Sequence, residues 1–119
     1  MLLIVGLNGD VAGQIGMRLG WLPPSLSTAA HAASWRPSPS VVVYRGALAA
    51  RTVAMLRAVH GCEVLVVVDA ALPQERRAVM AAGAAGYLIE GETPLLLDAI
   101  EALISVAASS GRRRRAFPH

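Results

Sequence analysis

The side chains in this chain that could do chemistry do not group in the patterns that chemistry needs. His31, His60 and His119 are scattered, and no metal-ligand spacing links them. Cys62 is the lone cysteine. One thiol forms neither an internal disulfide nor a zinc site, which fits a cytoplasmic location. It follows a helix stop and precedes a strand, so it reads as a small, partly buried residue and not as a nucleophile. Gly6-Leu7-Asn8-Gly9-Asp10-Val11-Ala12-Gly13 invites a nucleotide-loop reading. It is neither Gly-x-Gly-x-x-Gly nor a P-loop, and the chain has no lysine at all to meet a phosphate. It reads as a tight turn followed by a helix packed closely on a sheet. Arg112-Arg113-Arg114-Arg115 is the densest charge feature. Such a run either contacts phosphates, with salt-dependent and sequence-independent affinity, or is a solvated linker to a further domain. No nucleophile–base pair and no metal cluster emerges. The reading therefore assigns no catalytic residue, no metal and no cofactor, and does not expect an enzyme.

Three further charged residues each close an apolar run. Arg45 follows Val41-Val42-Val43-Tyr44, Asp69 follows Val64-Leu65-Val66-Val67-Val68, and Glu90 follows Tyr87-Leu88-Ile89. Continuous apolar runs of this length, rich in Val and Ile and alternating with helical patterns, predict strands of a parallel sheet covered on both faces. In such sheets ligands gather at the carboxyl ends of the strands, where these three residues fall.

The elements that would carry them read as follows. Residues 2–5 are a first buried strand, and Gly6–Gly9 a turn. Asp10 is placed to cap a helix from about Val11 to Leu19, with Gly20 as its stop. Residues 22–40 hold four prolines and six serines and threonines, and predict only a short strand near Leu26–Ala30 and a degraded helix or loop. Trp21 and Trp35 flank this stretch and are expected to cover the core where a full helix is missing. A helix over about 47–59 shows Leu48, Thr52, Met55, Leu56 and Val59 as its apolar stripe, and His60-Gly61 ends it. Pro73 opens the next helix, to about Ala82. The last helix is predicted over 95–108, with Leu96, Ile100, Leu103 and Ile104 inward.

Length and charge agree with one small domain. The chain has 119 residues and is 55% apolar, enough for a real core. No apolar run reaches the roughly 18 residues that span a bilayer, and the start lacks a basic leader, so neither a membrane partner nor a signal peptide is expected. All eleven basic residues are arginine. Outside the run at 112–115, seven arginines stand against eight acids. The basicity therefore belongs to the segment 109–119, read as a flexible tail after a domain of 1–108, and not to the folded body.

Ala81-Ala82-Gly83-Ala84-Ala85-Gly86-Tyr87-Leu88-Ile89-Glu90, followed by Thr93-Pro94-Leu95-Leu96-Leu97-Asp98-Ala99-Ile100, resembles the receiver domains of bacterial response regulators. That family carries Ala-Gly-Ala-x-Gly-Tyr-Leu-x-Lys, a Ser/Thr-Pro and an amphipathic last helix there. The resemblance covers about residues 41–108 by sequence and 2–20 by pattern. It implies a flavodoxin-like (βα)5 doubly wound sheet of order 2-1-3-4-5, here with a shortened or irregular second helix.

The departures carry the functional expectation. The family's Mg²⁺-binding acidic pair after the first strand is matched by Gly6-Leu7, with Asp10 the nearest acid. The phosphoacceptor aspartate is matched by Arg45, or by Tyr44 if the register slips by one. The Thr/Ser after the fourth strand is Asp69, and the lysine after the fifth is Glu90. Only the switch aromatic is kept, as Tyr87. Aspartyl phosphorylation needs a carboxylate nucleophile and Mg²⁺ held by carboxylates. An arginine provides neither. The resemblance thus implies an atypical, aspartate-less receiver, independent of phosphorylation, in a two-component setting of signal transduction and transcription regulation. Its central charges are reversed in sign, which suggests Arg45 paired with Glu90, near Asp69, through bidentate hydrogen bonds. The dimer face implied by the family carries Arg76, Arg77, Tyr87, Asp98 and Glu101. These ions, with Glu75, are placed for cross-subunit pairs while neighbouring Leu and Ala residues supply the affinity. The expected function is a regulatory interaction module with a homodimer or protein partner. Nucleic acid, met by the arginine run or by a DNA-binding domain absent from this chain, is the alternative, and a small-ligand sensor in the emptied pocket is the third.

Overall fold

The computed structural model describes residues 2–116, with side chains described as far as Ala107. Five strands form, all but the two-residue β2 where β-branched, leucine or aromatic residues run together: β1 (Leu2–Val5), β2 (Ser25–Leu26), β3 (Val41–Tyr44), β4 (Glu63–Val68) and β5 (Gly86–Ile89). Every pair is parallel, and the sheet order is β2-β1-β3-β4-β5. Four α-helices connect or follow them: α1 (Gly9–Leu19), α2 (Ala49–His60), α3 (Pro73–Ala81) and α4 (Thr93–Ala116).

The strand side chains alternate between two cores. Leu3, Val5, Val42, Tyr44, Val64 and Val66 point to the face covered by α2 and α3, against Val53, Leu56 and Val79. Leu2, Ile4, Val41, Val43, Leu65 and Val67 point to the other face, against Val11 and Ile15 of α1 and Leu96 and Ile100 of α4. Because both faces are covered, β1 and β3 are buried at every residue and β4 at all but its two ends, which is why they read as apolar runs.

Between β2 and β3 the helix that would complete the winding is reduced to one 3₁₀ turn, Ala32–Ser34. The prolines and β-turn residues of 22–40 cannot sustain longer helix. A strap replaces it. Ala32 is buried, and Trp35 packs against the core of that face. The strap is held from outside by His60, the last residue of α2. Its Nδ1 lies 2.9 Å from Ser38 Oγ, its Nε2 lies 2.6 Å from the Ala32 carbonyl, and its ring stacks on Trp35 at 5.7 Å between centroids. Since a carbonyl only accepts, Nε2 carries the donating proton. Trp21, expected to share this covering role, is instead 46% exposed and packs against neither core.

Three local expectations need correction. The cap of α1 is Asn8, whose side chain accepts from Val11 N at 3.0 Å, whereas Asp10 sits within the first turn. An aspartate there favours the helix dipole but is past the capping position. The apolar stripe of α2 is Ala49, Val53 and Leu56. Leu48 lies before the helix at φ +54 and is exposed, because the Tyr44 hydroxyl donates to Ala47 O at 2.7 Å and pins the entering loop. Finally, α4 runs on to Ala116, so Ser109–Gly111 and the arginine run share its helical backbone. Ser and Gly cost at most about 1 kcal/mol each in a helix, and arginine favours it.

Candidate functional site

The carboxyl edge of the sheet brings three of the four expected pocket residues together. Arg45 directly follows β3, and its backbone N–H still donates to Val5 O at 2.8 Å, so its place in the ladder is fixed without a register slip. Tyr44 is the last residue of β3 and is buried. The Arg45 guanidinium hydrogen-bonds to Asp69 Oδ1 through Nη2. Its Nε lies 3.3 Å from Glu90 Oε2. The pairing with Glu90 is therefore present, but as an ion contact and not as the expected bidentate pair. Glu90 Oε2 is buried with no hydrogen-bond partner among the described residues. One cation thus spans two carboxylates of different exposure: the Asp69 side chain is 74% exposed, the Glu90 side chain 15%. The hydrogen bond that Arg45 donates to Asp69 raises the Arg45 pKa above its ordinary value, Glu90 adding to it electrostatically.

Asp10 does not join this cluster. It is exposed on α1 and makes no ion pair among the described residues. The reason no acid stands closer is visible at Gly6. Its φ is +78, and a Cβ built there would lie 2.0 Å from the Arg45 carbonyl oxygen. The backbones of the β1–α1 turn and the end of β3 touch, so no side chain fits at residue 6. Among the described residues no group of three His, Cys, Asp or Glu is arranged to hold a metal ion. What remains at the edge is a shallow cavity of 370 Å³ lined by Arg45, Gly46, Val67, Val68, Asp69, Ala70 and Glu75. A guanidinium at the centre has no lone pair to offer a phosphoryl group and stays protonated.

Tyr87, on β5, is tied back to α3. Its hydroxyl donates to Glu75 Oε1 at 2.5 Å and accepts from Leu72 N at 3.2 Å. Glu75 was expected to face a second subunit, and its partner is within the chain. Burial first, and then the hydrogen bond to Glu75, push the Tyr87 phenol above its ordinary pKa. A raised pKa means that the folded state holds the proton more tightly. The resulting stability is complete below about pH 10, where an unfolded tyrosine ionises, and is lost as pH rises through the folded value. Urea titrations of wild type and Tyr87→Phe between pH 8 and 11 should show a steeper alkaline loss in wild type. Parallel curves would mean that Tyr87 carries no such linkage.

Two of the acids expected on the dimer face, Asp98 and Glu101, pair within the chain. Arg18, in the last turn of α1, pairs with Asp98 at 2.9 Å and with Glu101 at 2.5 Å. Both raise its pKa, the hydrogen bond to Asp98 being the largest single cause. Sequence reading missed Arg18, although the order 2-1-3-4-5 places α1 and α4 side by side on one face. A cation ending α1 and acids one turn apart on α4 were the available signal. Arg76 and Arg77 are exposed on α3, with no ion pair among the described residues. Beside them a cavity of 430 Å³ is floored by Leu72, Pro73 and Met80. Arg112–Arg115 lie on the α4 extension, beyond the described side chains.

No family profile matches the chain. No curated protein matches it either. The solved structures do match, and those reported are response-regulator receiver domains. A CheY-like response regulator receiver domain from Methanospirillum hungatei JF-1 superposes with a TM-score of 0.75 at 18% identity, over 92% of this chain and 96% of that one. An atypical orphan response regulator, described as revealing a phosphorylation-independent regulatory mechanism, gives 0.72 at 20% identity, over 87% and 94%. An orphan response regulator of H. pylori gives 0.70 at 19% identity, over 87% and 95%. The fold is therefore the receiver fold, with its five parallel strands in the order expected. Among the described residues no helix is long and apolar enough to cross a membrane.

Proposed function

We propose that this chain is a receiver-fold regulatory module that works without aspartyl phosphorylation, through association with a second copy or a protein partner. The observation that carries the reading is Arg45. It stands where the receiver resemblance puts the phosphoacceptor and already bridges Asp69 and Glu90. The contact between Gly6 and the Arg45 backbone removes the room for the first acidic ligand. The likeness to an atypical orphan regulator supports the same reading. With a resident cation bridging two carboxylates, the pocket rests in one ion-paired state, and regulation passes to the level of assembly.

The association surface is the edge formed by α3, β5 and α4. Leu72 and Met80 of α3 or its entry and Leu95 and Val106 of α4 are exposed, at 43–57%, and Arg76 and Arg77 are exposed with no ion pair among the described residues. Exposed apolar residues grouped on one edge mark an interaction surface. Sedimentation of the full chain at micromolar concentration, with and without Mg²⁺ and beryllofluoride, tests the reading. A dimer indifferent to beryllofluoride is the expected result. Association that requires it would show a working acyl-phosphate site and sink the proposal. Adding labelled duplex DNA at physiological salt separates the nucleic-acid alternative. A monomer that binds DNA in wild type, and loses it when Arg112–Arg115 are replaced, would move the function to the basic run.

A further inference from the structure

The strap between β2 and β3 sets a hydroxyl against an imidazole in the arrangement that activates a nucleophile. Ser38 Oγ lies 2.9 Å from His60 Nδ1, within reach of direct proton transfer. The other ring nitrogen decides the direction. Nε2 is 2.6 Å from the Ala32 carbonyl, which only accepts, so Nε2 holds the proton of the neutral ring. Nδ1 then presents a lone pair, and the Ser38 hydroxyl donates to it. Trp35 fixes the plane of the ring by stacking, with 13° between the two planes. A nucleophile, a base and a third group that orients the base are thereby assembled, with the Ala32 carbonyl as the orienting group. Sequence patterns do not show the pair, because its members stand 22 positions apart.

Access and neighbours narrow the chemistry. Ser38 is exposed, so an electrophile can reach its Oγ, while His60 is half-buried and held. Ser34, also in the strap, donates to the His31 carbonyl at 2.8 Å, and a carbonyl takes no proton from it. Ser25 and Ser27 are exposed, and neither hydrogen-bonds to a ring nitrogen among the described residues. Transfer of a phosphoryl group needs cations to offset the charge of that group. Arg36, two residues before Ser38, already spends its Nη1 on the carbonyls of Ala33 at 3.3 Å and Trp35 at 2.6 Å. No group of His, Cys, Asp or Glu among the described residues is arranged to hold a metal. An acyl carbon is uncharged when attacked and asks first for a base, which is what the strap supplies.

We propose that Ser38 is a modification site, acylated on Oγ by an activated acyl donor with His60 as the base. Oγ forms a bond to the acyl carbon, and the bond from that carbon to its leaving oxygen or sulfur breaks. The Ser38 proton passes to Nδ1 and from there to the leaving group. The acylated oxygen has no proton to donate, so its link to Nδ1 is lost. With the base no longer held beside the ester, the acyl group stays, and the result is a stoichiometric mark and not turnover. The mark also removes one anchor of the strap and so loosens residues 27–39. None of this depends on the association reading above.

Acetylation of the full chain by p-nitrophenyl acetate at neutral pH, read residue by residue by peptide mass spectrometry, tests the proposal. The absence of lysine leaves few competing amines. Ser38 should acquire the acetyl group at least about 10-fold faster than Ser25 or Ser27, since a positioned base contributes about 10²–10⁴-fold when fully used. His60→Gln keeps an N–H for the Ala32 carbonyl but offers no base. Labelling of Ser38 should there fall to the level of Ser25, with the strap amides still protected. In the acetylated wild type those amides should exchange about 5-fold faster, the size of one lost hydrogen bond. Equal labelling of the three serines in wild type overturns the proposal, whether or not the His60 variant folds. Fast labelling that persists in a folded His60→Gln protein overturns it too, because His60 is then not the base.

Discussion

Gly6→Asp, the change that would put back the first acid of a receiver pocket, is expected to unfold the protein instead of building a metal site. Residue 6 sits at φ +78, where residues with a Cβ are strained, and its Cβ would lie 2.0 Å from the Arg45 carbonyl oxygen. Neither side of that contact yields easily. Gly6 N donates to Leu26 O at 2.8 Å and Arg45 N donates to Val5 O at 2.8 Å, so both backbones are held by the sheet. Strain of this backbone kind is of the order of 1–3 kcal/mol. The steric overlap comes on top, so a loss of about 3–5 kcal/mol is expected, which is a large part of a small domain's stability. Gly6→Ala separates the two contributions, since it has the Cβ and not the charge. It should lose nearly as much as Gly6→Asp in chemical denaturation. An alanine variant within about 0.5 kcal/mol of wild type would show that the turn relaxes and that the acid site was lost for another reason.

The second large effect belongs to Arg45. Arg45→Ala leaves the Glu90 carboxylate, largely buried, without its cation and with one oxygen already lacking a hydrogen bond. An unpaired group of that kind costs about 1–3 kcal/mol. The Asp69 half of the bridge is solvent-exposed and adds at most about 1 kcal/mol. A fall of about 2 kcal/mol, or roughly 5–10 °C in Tm, is expected. The double variant Arg45→Ala with Glu90→Gln should recover much of the loss, because an amide tolerates the site better than a stranded carboxylate. Asp69→Asn alone should change little. If Arg45→Ala melts with wild type, the cluster does not hold the pocket, and the proposal of a charge-locked state fails with it.

Much of this architecture is legible in the chain because the central strands are buried on both faces. Val41–Val43 and Val64–Val68 have no polar residue to confuse the pattern, and turns with Gly20 and Gly61 end the helices where chain geometry requires. The charged residues at the strand ends were legible for the same reason, since a strand end fixes position to within one residue. What escaped was decided by contacts distant in sequence or by rotation of a helix. Arg18 meets Asp98 and Glu101 across 80 or more positions. Leu48 follows the apolar spacing of α2, yet the Tyr44 hydroxyl turns the loop so that it faces water. Asn8 and Asp10 are both good capping residues, and only the backbone at Asn8, extended at φ −71 and ψ 157, picks one. Bidentate pairing of Arg45 was expected from charge alone, and the placement of its two partners on separate strand ends gives a bridge instead.

The strap between β2 and β3 also divides the molecule by time. Its backbone has one 3₁₀ turn, and its anchors are one buried alanine, one tryptophan and the ring of His60. The backbone amides of β3 and β4 are shielded by two full cores and open only when the whole domain opens. Those of residues 27–39 are held by this short set of anchors alone, which a local opening can release. Amide hydrogens in the strap should therefore trade with solvent deuterium through a local opening, well before those of the central strands, so this protein has one small mobile unit on an otherwise cooperative body.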